Sequence, residues 1–429
     1  MLNKIKKMFA CVAIAASVAS VGVNVNAGKE HASVSNYDAQ KLNLDVKGAI
    51  AIDASTGQVL YAKNANQKRS IASMTKLITV YLTLQAIKQG KLSWDEKVSP
   101  TSAIAKVSRN SEYSNVPLYA GHSYTVRQLY QATLIESANG AAMTLAKAIS
   151  GNQVSFVKKM RSLVKSWGIK DAKIYNSCGL ANGNIGKEGY PGVSKNTENE
   201  LSASDMAIIT QKLLKDFPEV LNTTSVTTMT FKDSTGNTTM NNWNWMLKGL
   251  SAYYSDLPVD GLKTGTTDKA GACFSGTVSK NGHRIITIVL GAKHANASDP
   301  SRFVQTAKLM HYVYNNYTPV TLKKGTSISG ANSVNVPDGK STTSKVVLGK
   351  TITLWTLKNS QIKTSLTKTN VSAPITKNQK VSSYKFSTTS GKFMSVTDKS
   401  FNKVSAVATK DNGRVNIFVR IWRSLFGSK

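Results

Sequence analysis

Residues 48–90, GAIAIDASTGQVLYAKNANQKRSIASMTKLITVYLTLQAIKQG, change hydrophobic period half-way along. Gly48 to Asp53 and Gln58 to Ala62 are rich in apolar residues and flank the turn Ser55-Thr56-Gly57, which predicts a β-hairpin. Met74, Leu77, Ile78, Tyr81, Leu84 and Ile87 then recur near the helical period until Gly90 stops the run. Ser73 therefore stands at a helix start. Lys76 lies one turn along on the same face, where its amine and the Ser73 hydroxyl can meet.

Outward from this segment the chain alternates helix and strand signals. Thr125 with Gln128 has the spacing of a capping box and opens a helix through Leu129, Ala132, Leu134 and Ile135. Further helices fit Val154 to Trp167, Ser202 to Phe217, and Asp299 to Tyr317, where Pro300 suits a first turn. The stretch from Gly179 to Leu201 is polar and glycine-rich and reads as a surface loop. Ala272 to Ser279 and His283 to Leu290 flank Asn281-Gly282, a strong hairpin turn. Helices bracketing an antiparallel sheet predict an α+β or mixed α/β body up to Tyr317. Beyond it, Ser, Thr and Lys alternate with Val, Ile, Leu and Phe between Gly, Pro and Asn, which predicts short strands of a small β-sandwich.

The chain has 429 residues, 55 Lys and Arg against 23 Asp and Glu, and a formal charge of +32. Such a surface condenses on polyanions, and nucleic acid is the first to consider. The N-terminus argues for a different one. Lys4, Lys6 and Lys7 precede an apolar run from Met8 to Val23, and Val25-Asn26-Ala27 supplies small residues for cleavage, so residues 1–27 read as an export signal rather than a spanning anchor. An exported protein meets wall polymers and anionic lipid heads instead of nucleic acid. Cys11 leaves with the leader, and Cys178 with Cys273 make neither a disulfide framework nor a metal site; both read as buried thiols.

A serine hydroxyl is a weak nucleophile at neutral pH and needs a base within hydrogen-bond reach and donors for the oxyanion that forms. None of His31, His122, His283, His294 and His311 stands in a catalytic motif, which leaves lysine. The Ser-x-x-Lys spacing recurs at Ser155-Lys158 and Ser400-Lys403, so spacing alone decides nothing. The setting of Ser73 separates it: after a hairpin, with Ser137-Ala138-Asn139 and then Lys263-Thr264-Gly265 downstream.

Ser-x-x-Lys, Ser-x-Asn and Lys-Thr-Gly in this order resemble the penicillin-binding protein and serine β-lactamase superfamily. The longer strings Ile71-Ala72-Ser73-Met74-Thr75-Lys76, Glu136-Ser137-Ala138-Asn139-Gly140 and Asp260-Gly261-Leu262-Lys263-Thr264-Gly265-Thr266 resemble the low-molecular-mass D-alanyl-D-alanine carboxypeptidases. The resemblance implies an α/β (α+β) penicillin-binding, β-lactamase-like catalytic domain over residues 28–317, a small all-β domain over 318–410 and an amphipathic helix over 411–429. It implies no cofactor and no metal. Ser73 would attack the carbonyl between the last two D-alanines of a peptidoglycan stem peptide, and Lys76 would take its proton if burial and nearby positive charge lower its pKa. Ser137 would relay a proton to the leaving amine and Asn139 would hold the peptide amide or Lys76. Lys263 and Thr264 would bind the terminal carboxylate, and the N–H groups of Ser73 and Thr266 would hold the oxyanion. Gly265, lacking a side chain, would let a ligand lie against the backbone. Relatives often carry threonine where Cys178 stands, and the loop after it offers no evident acidic residue to speed deacylation, so β-lactams would be slowly released covalent inhibitors.

The C-terminal RVNIFVRIWRSLFGSK places Ile417, Phe418, Ile421, Trp422, Leu425 and Phe426 over one broad helical face, too short to span a bilayer. It suits the interface of an anionic membrane, or docking on its own domain. Two other functions stay open on these residues: a β-lactamase or esterase of the same superfamily, and a non-catalytic basic protein that binds wall or lipid. If catalysis is genuine, deleting residues 318–429 should leave hydrolysis of soluble peptide largely intact.

Overall fold

A computed structural model describes residues 34–426 except Ala39. The expected leader, with Cys11, lies outside the described residues. The opening segment folds as the hairpin β1 (Gly48–Asp53) and β2 (Val59–Lys63), a short β3 (Arg69–Ser70), a 3₁₀ turn (Ala72–Thr75) and α1 (Lys76–Lys88). A helical region follows with β4 (Lys97–Val98), α2 (Ser102–Ser108), β5 (Tyr124–Thr125), α3 (Val126–Leu134), α4 (Asn139–Ser150) and α5 (Gln153–Ser166). After it come β6 (Glu200–Leu201), α6 (Ala203–Asp216), α7 (Leu221–Thr224), and the ribbon β7 (Thr228–Asp233) with β8 (Gly236–Asn241). The chain then returns through β9 (Val259–Thr267), β10 (Gly271–Lys280), β11 (His283–Ala292) and α8 (Ser301–Asn316).

The main sheet is antiparallel, in the order β2-β1-β11-β10-β9. Side chains alternate between its faces, and both faces are covered. Ile50, Ile52, Ile286 and Ile288 enter one core with Leu77 and Ile78 of α1 and Ile209 and Leu213 of α6. Ala49, Ala51, Phe274 and Val289 enter another with Phe303, Leu309 and Met310 of α8. A further core joins Val126 and Leu129 of α3, Leu145 of α4, and Phe231 and Met240 of the ribbon. α1 runs between these layers, so Lys76 to Leu84 is buried without a break. That position takes Lys76 out of water.

Asn139 begins α4. A Cβ on Gly140 would lie 2.4 Å from Ser108 Cβ, so the glycine serves the packing of α4 on α2. The segment from Gly179 to Leu201 is more than a surface loop: it holds a short 3₁₀ stretch (Asn182–Glu188), pairs β6 with β3, and buries Ile185, Glu198 and Asn199.

Past α8 come β12 (Tyr317–Leu322), β13 (Ser333–Asn335), β14 (Thr343–Leu348), β15 (Ile352–Leu357), β16 (Ile362–Leu366), β17 (Lys380–Thr388) and β18 (Lys403–Ala408), then α9 (Ile417–Phe426). A β12-β15 pair and a five-stranded sheet, β13-β14-β18-β17-β16, close over Val346, Leu348, Leu354, Tyr384, Phe386 and Ala406. This unit is fastened to the first hairpin. Trp355, 1% exposed, donates from Nε1 to Asp53 Oδ1 at 3.0 Å. Its backbone N–H donates to Gln58 Oε1 at 3.0 Å, and its carbonyl accepts from Gln58 Nε2 at 2.7 Å. The N–H groups of Val59 and Val396 add bonds to the carbonyls of Met394 and Gly57 at 2.8 and 3.0 Å.

Candidate active site

A cleft of about 720 Å³ opens between the sheet edge β9 and the helical region. Ser73, Ser137, Asn139, Thr264, Gly265 and Thr266 line it, while Lys76 and Lys263 lie buried beside it at 0% and 2% exposure. The three motifs thus converge from three places: the turn before α1, the turn into α4 and the edge strand.

Ser73 is carried on the 3₁₀ turn, and Ala72 before it adopts φ +46°, a left-handed conformation that a non-glycine residue holds only under the constraint of its surroundings. Lys76 Nζ donates to Ser73 Oγ at 2.8 Å, Asn139 Oδ1 at 2.8 Å and the carbonyl of Cys178 at 2.7 Å. Asn139 is oriented in turn, its Nδ2 donating to the Ser114 carbonyl at 2.9 Å, which leaves Oδ1 for the lysine. Burial lowers Lys76 from its ordinary value to about 8. The thiol of Cys178 is itself buried and weakly bonded to Asn176 Oδ1; it is the backbone carbonyl of this residue that faces the chemistry.

Ser137 precedes α4 at φ +62° and is 4% exposed. Glu136 beside it accepts the Asn241 N–H at its carboxylate (2.9 Å) and the Trp243 indole N–H at its carbonyl (3.2 Å), which fixes Trp243 in the cleft lining. Among the described residues, Lys263 Nζ donates only to the carbonyl of Thr264, at 3.2 Å. Its pKa is held well below the ordinary value by burial first, then by the charges of Lys76 and Arg302. Lys263 therefore stands behind the strand, buried beside the cleft.

Gly265 lines the cleft and serves a second purpose that its sequence context does not show. A Cβ there would come 2.7 Å from the Ile71 carbonyl and 3.2 Å from Met74 N. What approaches this glycine is the turn carrying Ser73, and the close fit sets the Ser73 and Thr266 backbones side by side.

Two lining residues escape sequence reasoning. Arg302, at the start of α8, donates from Nη2 to Thr266 Oγ1 at 2.7 Å and from Nη1 to the Gly265 carbonyl at 3.0 Å. An arginine opening an amphipathic helix carries no local signal of this. Glu198 lies in the stretch that seemed to lack an acidic residue at the cleft. It lines the cleft, with Thr267 Oγ1 donating to its Oε2 at 2.9 Å. Neither Ser73 nor Lys76 is among its hydrogen-bond partners in the described residues. The arrangement can do acyl transfer: a nucleophile, a base touching it and an arginine in the cleft lining.

Comparisons with known proteins agree with this chemistry. The D-alanyl-D-alanine carboxypeptidase family profile matches residues 35–294. The chain is 30% identical over 343 residues to the D-alanyl-D-alanine carboxypeptidase DacF of Bacillus subtilis, covering 79% of this chain and 80% of that one. Among solved structures it is similar to a peptidoglycan synthesis regulatory factor (PBP3) from Streptococcus pneumoniae, with 36% identity, a TM-score of 0.72, and coverage of 86% and 100%. It is also similar to penicillin-binding protein D2 from Listeria monocytogenes in its ampicillin-bound form, with 32% identity, a TM-score of 0.51, and coverage of 64% and 99%. A family match over more than half the chain, falling on the segment that folds around the Ser73 cleft, makes this protein a member of the D-alanyl-D-alanine carboxypeptidase family, a serine-type hydrolase of the penicillin-binding fold.

Proposed function

We propose that the enzyme works outside the cytoplasmic membrane on peptidoglycan stem pentapeptides, with Ser73 forming an acyl-enzyme that water hydrolyses. The hydrogen bonds of Lys76 carry this reading. A neutral amine has two hydrogens and one lone pair. Asn139 Oδ1 and the Cys178 carbonyl can only accept, so they take the two hydrogens, and the lone pair is left facing Ser73 Oγ. With a value of about 8, roughly a tenth of the lysine is neutral near pH 7.

In the first step the Ser73 proton passes to Lys76 as Oγ bonds to the carbonyl carbon, and the N–H groups of Ser73 and Thr266 hold the oxyanion. The proton travels through Ser137 to the leaving nitrogen, the C–N bond breaks and D-alanine departs. Thr264, Thr266 and Arg302 hold its carboxylate, with Lys263 close behind β9. Lys76, neutral again, then takes a proton from the attacking water. Mass spectrometry of a pentapeptide ending in D-Ala-D-Ala should find loss of one D-alanine with the wild type and none with Ser73→Ala. Retention of both D-alanines, or full activity in the variant, contradicts the reading.

The same geometry supports acylation of Ser73 by β-lactams, and the relative from Listeria is described with ampicillin bound. Glu198, the acidic residue that the loop brings to the cleft, is engaged by Thr267, which supports slow release. Labelled penicillin should stay on Ser73 through gel filtration; rapid conversion to free penicilloate would favour a β-lactamase.

In this reading residues 28–317 are the catalytic body, 318–410 a stand and 411–429 an anchor. α9 buries none of its side chains, and Phe418, Trp422, Leu425 and Phe426 are 64–78% exposed. Arg423 links it to the β-rich unit, donating to the carbonyls of Gly339 and Pro337 at 2.7 and 3.2 Å. No helix among the described residues is long and apolar enough to cross a membrane. An unburied apolar face beside arginines supports attachment to an anionic interface. Co-sedimentation with anionic vesicles should be lost on deleting residues 414–429; undiminished binding contradicts the anchor.

A further inference from the structure

We propose that Glu198 is a specificity-determining residue, accepting the side-chain ammonium of the diamino acid that precedes the two D-alanines in a stem peptide. The inference rests on the proposed function and deepens it.

Glu198 is 6% exposed and lines the cleft. One of its oxygens accepts from Thr267; among the described residues no lysine, arginine or histidine nitrogen pairs with it within 4 Å. Glu200, two residues on, is met by both Lys269 at 2.7 Å and Lys173 at 2.9 Å. A carboxylate taken almost wholly out of water without a counter-cation is costly, and a substrate cation arriving from the cleft would offset that cost.

Topology puts the substrate's cation in reach. β9 is the edge of the main sheet, with an unpaired side along Thr264 to Thr267, all of which line the cleft. An extended peptide can add to such an edge as an antiparallel strand. With its terminal carboxylate by Thr264 and Arg302 and its scissile carbonyl at the Thr266 N–H, the chain leading back toward its N-terminus passes Thr267 next. A rise of about 3.3 Å per residue brings the residue before D-Ala-D-Ala to this point, where Glu198 is bonded. Glu198 is also held in place. Its neighbour Asn199 donates from Nδ2 to Thr75 Oγ1 at 3.0 Å and accepts the Ile71 N–H at 3.1 Å, which ties it to the turn bearing Ser73.

Lysine and diaminopimelate share the aliphatic primary ammonium that this site fits. The test measures D-alanine release from three pentapeptides carrying lysine, diaminopimelate or Nε-acetyl-lysine before D-Ala-D-Ala. For the wild type, kcat/KM should favour an ammonium peptide over the acetylated one by about ten- to a hundredfold, the range of a charge-assisted hydrogen bond. Whichever ammonium peptide is faster names the source. Glu198→Gln keeps an acceptor for Thr267 and should erase the preference, leaving the acetylated peptide within about twofold of its wild-type value. Equal wild-type rates on all three peptides, or an equal loss on all three in Glu198→Gln, would overturn the assignment while leaving the carboxypeptidase reading intact. No D-alanine released from any of them would overturn both.

Discussion

Lys76→Met should lower kcat/KM for D-alanine release by about 10²–10⁴-fold, the span that a positioned general base contributes. Methionine is unbranched and close in length, so it can occupy the channel beside α4 without opening a cavity. It leaves Asn139 Oδ1 and the Cys178 carbonyl without their donor, a cost of about 1–3 kcal/mol each. It also removes an ammonium held at 0% exposure, whose desolvation opposes that cost. The fold should therefore survive, as circular dichroism will show. The pH dependence carries the sign of the mechanism. Below about 8 the amine is charged and cannot take the Ser73 proton; above it the lone pair is free, so wild-type kcat/KM rises through this range. In Lys76→Met the rising limb should vanish from whatever activity remains.

Trp355→Ala is the second large effect, and it falls on stability. The indole is 1% exposed and packs edge-on against His283 while bonding Asp53, so truncation removes a filled volume and strands a buried carboxylate oxygen. Loss of a buried aromatic costs about 3–5 kcal/mol. Urea unfolding should move to lower denaturant by that amount, with a smaller change in kcat/KM than in stability, because Trp355 lies outside the cleft lining. An unchanged midpoint would mean that the β-rich unit hangs freely from the body. The same interface revises the expected result of deleting residues 318–429. That deletion uncovers Gln58, 2% exposed, and removes the bonds of Val59 and Val396 across the seam, so the shortened body should be unstable rather than simply detached. Deleting only residues 414–429 separates attachment from stability.

The catalytic motifs and the outer frame were legible because their signals are local. The hairpin at 48–63, the helix after Ser73, the capping box of Thr125 with Gln128, and the Asn281-Gly282 turn all form where side-chain period and turn chemistry put them. The family resemblance, carried by three short strings, agrees with the profile match, and with it the non-catalytic alternative loses its ground. What stayed hidden depends on contacts between distant segments. Gly140 carries no local signal of its packing role, because its meaning lies in Ser108 on another helix. Gly265 also makes room for the Ser73 turn, a segment far from it in sequence. Arg302 and Glu198 carry no motif, and only the fold brings a helix start and a loop end to the same strand edge. Trp355 reads as one more strand residue, with nothing near it in sequence to announce Asp53.

Titration of Lys76 itself tests the central claim most directly. Enzyme labelled with carbon-13 at lysine Cε, assigned by comparison with Lys76→Met, should show this amine deprotonating near pH 8 in the free enzyme. A Lys76 resonance that keeps its protonated shift up to the ordinary lysine range, about 10.4, would contradict the account, because no neutral amine would then be present to take the Ser73 proton at working pH.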